Sequence, residues 1–390
     1  MRRTAHIAHY LNTLDPATGG IVAHVSDLAV LTAAAGWRVD IITPQPEPRP
    51  KNIDDHDNIA IHAAPVPAYR ATMSKRQLEA VIALTADADL IHLHGAWYTP
   101  TIQLASRLRS INRPYVVTPH GMLDDWCMSQ KRIKKQLFLR LAGQRFLAGA
   151  ERLFYCAEAE RDQSHRWANE RPSSVIPAAM DLSPFASLPG PDLARSSIDG
   201  VPNEGDFALF LSRIDPKKGA ETLIAAGAEL KRRGRELPIV IAGTGQADYV
   251  AALERQAESA GIAEQVRFIG LVRDRLKVSL LQAASVLALP THQENFGLVL
   301  TEALAAQTPV ITTRGVDIWP TIERHKAGLI AERTPTAFAD AIAALLDSPQ
   351  RRDDMGQRGR EWVLREMSTE SLTTQFISAY SETLDTLDRG

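Results

Sequence analysis

The chain has 390 residues, 45% hydrophobic and 23% charged, with a net charge of −2. That balance excludes intrinsic disorder and a collagen-like repeat, and the length calls for two or three domains. The near-neutral total supplies no global basic field, so nucleic acid is not an expected partner. The total hides an asymmetry. Residues 1–180 carry 21 Lys+Arg against 17 Asp+Glu, giving +4, and residues 181–390 carry 23 against 29, giving −6. Cys127 and Cys156 do not form a C-x-x-C pair, which favours a reducing cytoplasm over an export route. Behind Met1-Arg2-Arg3 there is no apolar run, because His6, His9 and Asn12 interrupt it. No apolar run elsewhere reaches the ~18 residues that a spanning helix needs. The expected location is cytoplasmic, with contact at most from the inner face of a membrane.

In chain order, Thr4–Leu11 reads as a strand and Gly20–Ala35 as a helix stopped by Gly36. Trp37–Thr43 is the next strand, followed by a loop with Pro44, Pro46, Pro48 and Pro50. Asp89–His94, Tyr115–Thr118 and Arg152–Cys156 are further strands with helical stretches between them. The stretch Ile176–Asp206 holds Pro177, Pro184, Pro189, Pro191 and Pro202 and few periodic apolar positions, as an interdomain linker would. A second series follows: Phe207–Leu211, Pro238–Ala242, Val266–Ile269, Val286–Leu289 and Val310–Thr313. Three helices close the chain, Thr336–Leu346, Gln350–Arg365 and Thr369–Leu387. Strand–helix alternation means parallel sheets covered on both faces, so the expected fold is α/β with two doubly wound domains. Ligands of such sheets bind at the carboxyl ends of strands, and motifs there carry the most weight.

The most informative segment is His292-Gln293-Glu294-Asn295-Phe296-Gly297-Leu298-Val299-Leu300-Thr301-Glu302, which follows the strand Val286–Leu289 and opens a helix. The helix start aims free N–H groups near Phe296, Gly297 and Leu298 at an anionic phosphate. Gly297 admits close backbone approach, and Glu302 in the helix suits paired hydroxyls such as those of a ribose. The second segment, Arg213-Ile214-Asp215-Pro216-Lys217-Lys218-Gly219, also follows a strand. Arg213 and Lys218 beside a helix N-terminus form a clamp for a diphosphate and stabilise it as a leaving group. Gly243-Thr244-Gly245 follows another strand, but Asp248 stands where a dinucleotide fingerprint needs its third Gly, so a nicotinamide enzyme is not expected. Gly243 instead makes a tight strand-to-helix turn.

In the first half, Thr18-Gly19-Gly20 separates strand from helix and offers backbone N–H groups to a phosphate. Thr118-Pro119-His120-Gly121 places His120 at a strand's carboxyl end, where an imidazole meets a substrate hydroxyl. His92 and His94 share one strand face, but the sequence offers no third ligand, so no metal is expected. Trp126–Ala150 has no acidic residue and carries Lys131, Arg132, Lys134, Lys135, Arg140 and Arg145, with Ile133, Leu137 and Leu141 recurring every four residues. This basic amphipathic helix suits an anionic membrane surface or an acidic acceptor, or else packs on the sheet with a solvated basic face.

Together Glu294 and Glu302 with seven residues between them, Arg213…Lys218-Gly219, Gly19-Gly20 and Thr118-Pro119-His120-Gly121 resemble the family 4 retaining glycosyltransferases. The resemblance runs along almost the whole chain, most strongly from Phe207 to Gly328. It implies the GT-B architecture of two Rossmann-like domains facing across a cleft. Residues 1–180 would form the acceptor-side domain, with 369–390 packing back on it, and 181–368 the nucleotide-sugar domain. It further implies that Glu302 binds the donor ribose and Glu294 the hydroxyls of the donor sugar. Arg213 and Lys218 would hold the diphosphate with N–H groups at Gly20, Phe296, Gly297 and Leu298, beside Gly19, Gly243 and Asn295. His120 would hydrogen-bond the donor sugar near its anomeric carbon, and the base would rest near Gly270-Leu271-Val272.

Relatives commonly have Gly where Asn295 stands and Asn-Gly where Ala178-Ala179 stands, and neither change removes a charge the chemistry needs. The expected activity is retaining, metal-independent transfer of a sugar from a nucleotide-diphosphate sugar to a glycan or lipid-linked acceptor, in cell-surface polysaccharide assembly and without a cofactor. Two other readings stay open: a nucleotide-sugar epimerase or hydrolase of the same fold, and a non-catalytic nucleotide-binding partner of an assembly complex.

Overall fold

The computed structural model describes residues 4–66, 72–168 and 171–389. Met1, Arg2 and Arg3, behind which no apolar run follows, lie outside the described residues. The chain divides into two compact units, one comprising Met1–Met180 with Thr369–Gly390 and the other Asp181–Ser368.

The first unit is built on seven strands: β1 His6–Tyr10, β2 Arg38–Thr43, β3 Ile59–Ala63, β4 Leu90–His94, β5 Tyr115–Thr118, β6 Leu153–Tyr155 and β7 Ser173–Val175. Their order is β3-β2-β1-β4-β5-β6-β7, and every pairing is parallel. β1, β4 and β5 are buried along their whole length. One face of the sheet packs on Val22, Val25 and Ala29 of the helix Gly20–Ala34, and another cluster gathers Leu93, Leu104, Leu108 and Val117. Helices on both faces bury such a sheet completely, which is why its central strands read as continuous apolar runs. The histidines at 6, 9, 92 and 94 are buried exceptions within those runs. The register sets His9 beside His92 and His94 beside Thr118.

The second unit has six strands: β8 Ala208–Leu211, β9 Ile239–Ala242, β10 Val266–Gly270, β11 Val286–Leu289, β12 Val310–Thr312 and β13 Gly328–Ile330. They run parallel in the order β10-β9-β8-β11-β12-β13. In both sheets the strand order reverses beside the first strand, β1 or β8. The loops after β1 and β4, and after β8 and β11, therefore leave the carboxyl edge at a topological switch point.

The helix Thr369–Leu387 belongs to the first unit, where Phe376 and Tyr380 pack on Phe154 of β6. No described helix is long and apolar enough to cross a membrane. Cys127 and Cys156 are both free thiols.

Candidate active site

In the second unit the sequence motifs converge through their main chain. The loop after β8 makes one turn, Pro216–Lys218, capped by the Asp215 side chain, which accepts from Lys217 N at 2.9 Å. The loop after β11 fastens to it: His292 N–H donates to the Lys217 carbonyl at 2.8 Å, and Thr291 Oγ1 donates to the same oxygen at 3.0 Å. Gly219 is required at the join. It has φ 78°, and a Cβ there would stand 2.0 Å from the Pro290 carbonyl oxygen. Gly243, at φ 139°, meets the Ser212 carbonyl in the same way, so this glycine serves close packing of two strand-end loops. Glu294 is held by an isolated parallel bridge to Val316, with its N–H on the Gly315 carbonyl at 2.8 Å.

This packing brings Lys218 Nζ into contact with a Glu294 carboxylate oxygen. Lys218 is only 8% exposed. Burial first, then the neighbouring Lys217 and Arg213, push its ammonium down to about 7, while Asp215 favours the charged form. The touching Glu294 carboxylate also favours it. Arg213 stands exposed nearby and makes no ion pair among the described residues. Gly297, at φ 73°, is the N-cap of the helix Leu298–Ala305 and supplies no side-chain cap. The N–H groups of Phe296, Gly297 and Leu298 have no hydrogen-bond partner among the described residues. A cationic amine and an open helix start around one carboxylate make an anion-accepting corner.

Glu302 lies on the same helix and receives Lys277 Nζ at 2.7 Å. Lys277, on the helix Asp274–Ala283, was not singled out in the sequence because nothing there ties it to Glu302. Leu271 is 55% exposed just beyond β10, Val272 beside it is buried, and the Gly270 carbonyl accepts from Gly243 N–H at 2.7 Å. Asn295 accepts from Asp317 N–H through its carbonyl at 3.2 Å. A cavity of about 260 Å³ is lined by His292, Arg314, Glu332 and Arg333 among others.

In the first unit, Gly19 has φ 106° and ψ −149°, a conformation confined to glycine, and open space where a side chain would stand. Gly20 begins the helix that follows. His120, half-buried, takes the left-handed φ of 55°. Its loop is pinned by Glu160, a buried carboxylate that accepts from Gly121 N at 2.6 Å and from Cys156 N at 2.7 Å. His120 Nε2 lies 2.9 Å from His94 Nδ1, and His94 Nε2 lies 3.0 Å from His9 Nδ1. His92 joins Tyr380 Oη and Thr118 Oγ1, both at 2.7 Å. His24 Nδ1 accepts from Ala179 N–H at 2.8 Å, and its ring stands edge-on to His120 at 5.4 Å. Burial holds all five rings below the ordinary histidine range, His9 at about 3 and His24 at about 4, and in all but His24 neighbouring rings lower them further.

The sequence offered His92 and His94 no third ligand, and the structure supplies one in His9. Among the described residues these three form the group whose ligand atoms all lie within 4.8 Å of one another. Every ring nitrogen in the trio except His9 Nε2 is already in a hydrogen bond, so a cation would enter only by breaking those bonds.

The basic segment is two helices, not one. Asp125–Ser129 ends at Gln130, Lys131 turns at φ 52°, and Arg132–Ala148 then runs on through a π turn at Leu139–Gly143. Ile133, Leu137 and Leu141 are 84%, 56% and 68% exposed, so this stripe faces outward and does not pack on the sheet. Lys131, Arg132 and Lys134 are exposed with it. Lys135 departs from the expected basic face: its Nζ bonds the Cys127 carbonyl and lies 5.2 Å above the Trp97 ring.

Residues 196–362 match the family described as "Glycosyl transferases group 1", and residues 19–179 match the "Glycosyl transferase 4-like domain". The chain belongs to the family 4, group 1 glycosyltransferases. A D-inositol 3-phosphate glycosyltransferase of Corynebacterium urealyticum is 28% identical, over 97% of this chain and 95% of its own. A phosphatidyl-myo-inositol mannosyltransferase of Mycolicibacterium smegmatis is 29% identical, over 89% of this chain and 86% of its own. The structure of Anabaena HepE in complex with UDP superposes with a TM-score of 0.78 at 18% identity, covering 97% of this chain and all of that one. This glycosyltransferase therefore has the GT-B fold.

Four side chains at these positions escaped the sequence reading: Lys277, Glu160, His9 and His24. Only the histidines left a signal, as polar residues inside otherwise apolar buried elements.

Proposed function

We propose that this glycosyltransferase moves a sugar from a nucleotide-diphosphate sugar to a glycan or lipid-linked acceptor, with retention at the anomeric carbon and without a metal. The contact of buried Lys218 with Glu294, beside the uncapped helix start at Gly297, carries the reading. Arg213, Lys218 and the N–H groups of Phe296, Gly297 and Leu298 hold the diphosphate and stabilise the charge it gains on leaving. Those positive groups come from the protein, so magnesium has no role to fill. Glu302 takes the ribose hydroxyls once Lys277 yields, Glu294 the hydroxyls of the sugar, and exposed Leu271 with Val272 the face of the base. His120 bonds the donor sugar near its anomeric carbon, and Gly19 and Gly20 offer N–H groups to the phosphate. The first unit is the acceptor side and the second the donor side.

In this proposal no carboxylate acts as a nucleophile. The acceptor oxygen attacks the anomeric carbon from the face the diphosphate leaves, the carbon–phosphate-oxygen bond breaks, and the departing phosphate oxygen takes the acceptor's proton. UDP bound to HepE and the inositol-based names of the two relatives favour a UDP-type donor class and a phosphorylated or lipid acceptor. The outward stripe Ile133, Leu137, Leu141 with Lys131, Arg132 and Lys134 supports contact with the anionic inner face of a membrane, the setting of cell-surface polysaccharide assembly.

The test is product analysis with UDP-glucose, UDP-N-acetylglucosamine, GDP-mannose and ADP-glucose, each with EDTA and with vesicles containing phosphatidylinositol. A glycolipid of retained anomeric configuration supports the proposal. Free sugar or an epimerised donor as the only product replaces it with the hydrolase or epimerase reading. A trapped glycosyl–enzyme adduct contradicts the front-face step.

A further inference from the structure

The transfer chemistry uses His120 but not the imidazoles behind it. His9 on β1, His94 on β4 and His120 beyond β5 stand in a row because those three strands are neighbours in the sheet. Consecutive rings stack at centroid distances of 5.2 Å, joined by the His9 Nδ1–His94 Nε2 and His94 Nδ1–His120 Nε2 bonds. His9 and His94 are 0% and 1% exposed.

A neutral imidazole carries one N–H and one lone pair. His94 therefore donates from one nitrogen and accepts at the other, and both bonds must point the same way along the row. Only two proton arrangements satisfy this. In one, His120 donates from Nε2 to His94, His94 donates from Nε2 to His9, and His9 carries its proton on its own Nε2. That nitrogen is buried and has no hydrogen-bond partner among the described residues. In the other, His9 donates from Nδ1, His94 donates from Nδ1, and His120 accepts at Nε2 and carries its proton on Nδ1. The second arrangement leaves a bare lone pair at His9 Nε2 and avoids burying an unpaired N–H, the rarer defect in proteins.

We propose that His94, oriented by His9, is a positioning residue that fixes His120 as its Nδ1–H tautomer, so that His120 meets the donor sugar as a hydrogen-bond donor through Nδ1. With Nε2 occupied by His94, Nδ1 is the nitrogen left for a ligand. The loop serves the same end: Glu160 pins Gly121 N–H next to His120, and His24, its own Nδ1 occupied by Ala179 N–H, stands edge-on to the His120 ring at 5.4 Å. This inference rests on the reading of His120 as a donor-sugar contact.

The tautomer is read directly from nitrogen-15 NMR of the full chain with labelled imidazoles, His120 being assigned from the signal missing in His120→Gln. The wild-type protein is expected to show protonated Nδ1 and bare Nε2 at both His94 and His120. A protonated Nε2 at His120 overturns the proposal, and this spectrum needs no known substrate and no variant beyond the one used for assignment. In His94→Phe, His120 loses its fixed partner and reverts to Nε2–H, the tautomer free histidine prefers in water. On whichever nucleotide sugar of the panel above supports turnover, kcat of His94→Phe falls about tenfold with the donor KM within about twofold. His94→Asn, whose amide N–H replaces Nδ1–H, restores most of that loss. A folded His94→Phe protein with unchanged kcat also overturns the proposal. His120→Ala separates the two layers: if it turns over at the wild-type rate, the donor-contact reading of His120 fails, while the spectrum still decides the tautomer.

Discussion

Four imidazoles, those of His9, His24, His92 and His94, are almost wholly buried in the first unit, and burial pulls each below the ordinary range. In the unfolded chain they titrate near 6.5. Between the folded and unfolded values the unfolded chain binds more protons, so stability rises with pH there. The contribution is fully present above about pH 6.5 and is lost as pH falls. Going from pH 8 to pH 5 removes about 2 kcal/mol for each ring that stays neutral when folded, and roughly 8 kcal/mol for the four. A whole domain has only about 5–15 kcal/mol to lose. The first unit is therefore expected to unfold near pH 5. The assay is urea unfolding read by pulse-labelled amide exchange of the peptides covering β1 and β4, which reports this unit alone. In His9→Phe one titrating ring is gone, and the loss of stability near pH 5 should be shallower by about 1.4 kcal/mol per pH unit. Stability that stays flat from pH 8 to 5, or an unchanged slope in the variant, would refute the reasoning, because the rings would then be titrating inside the folded unit.

Glu160→Ala leaves the N–H groups of Gly121 and Cys156 without this acceptor, and urea unfolding should show a loss of about 2–5 kcal/mol, with Glu160→Gln losing less. Lys218→Met is expected to weaken nucleoside diphosphate binding about 10- to 100-fold by calorimetry, the worth of a charge-assisted bond. Because burial and neighbouring cations bring Lys218 to about 7, wild-type affinity should also fall as pH rises through that value, a dependence the Met variant lacks. Ile133→Asp with Leu137→Asp should abolish sedimentation with phosphatidylglycerol vesicles while thermal stability stays within about 0.5 kcal/mol, since both side chains are exposed.

The sequence made the fold readable where strands are central. Tyr115–Thr118 and Val286–Leu289 occupy the residues expected of them because a strand buried on both faces is an uninterrupted apolar run. It was silent on β3, β7 and β13, three of the four outer strands, while the fourth, β10, was read. Ile59–Ala63 and Ser173–Val175 are half-exposed, and Gly328–Ile330 is a half-buried edge strand that opens on a glycine, so none of the three is an uninterrupted apolar run. At the site, glycines at strand ends were legible because each turn demands its own residue type. Pairings across the sheet were not. His9 meets His94 85 positions away and Tyr380 meets His92 288 away, and no local pattern encodes such a contact. Lys135 was misplaced for a related reason: helical periodicity assigns it to the basic face, but the ring of Trp97 and the Cys127 carbonyl draw its amine inward.

If the proposal is right, the second unit binds a nucleotide diphosphate through protein groups alone. Thermal melts with UDP, GDP, ADP, CDP and dTDP, each in EDTA and again in magnesium, test it most directly. A nucleotide at a hundred times its dissociation constant stabilises the folded protein by about 2.7 kcal/mol. One of the five is expected to raise the melting temperature in EDTA, and Glu302→Ala to lose the shift. No shift with any nucleotide, or a shift seen only with magnesium, would contradict the proposal.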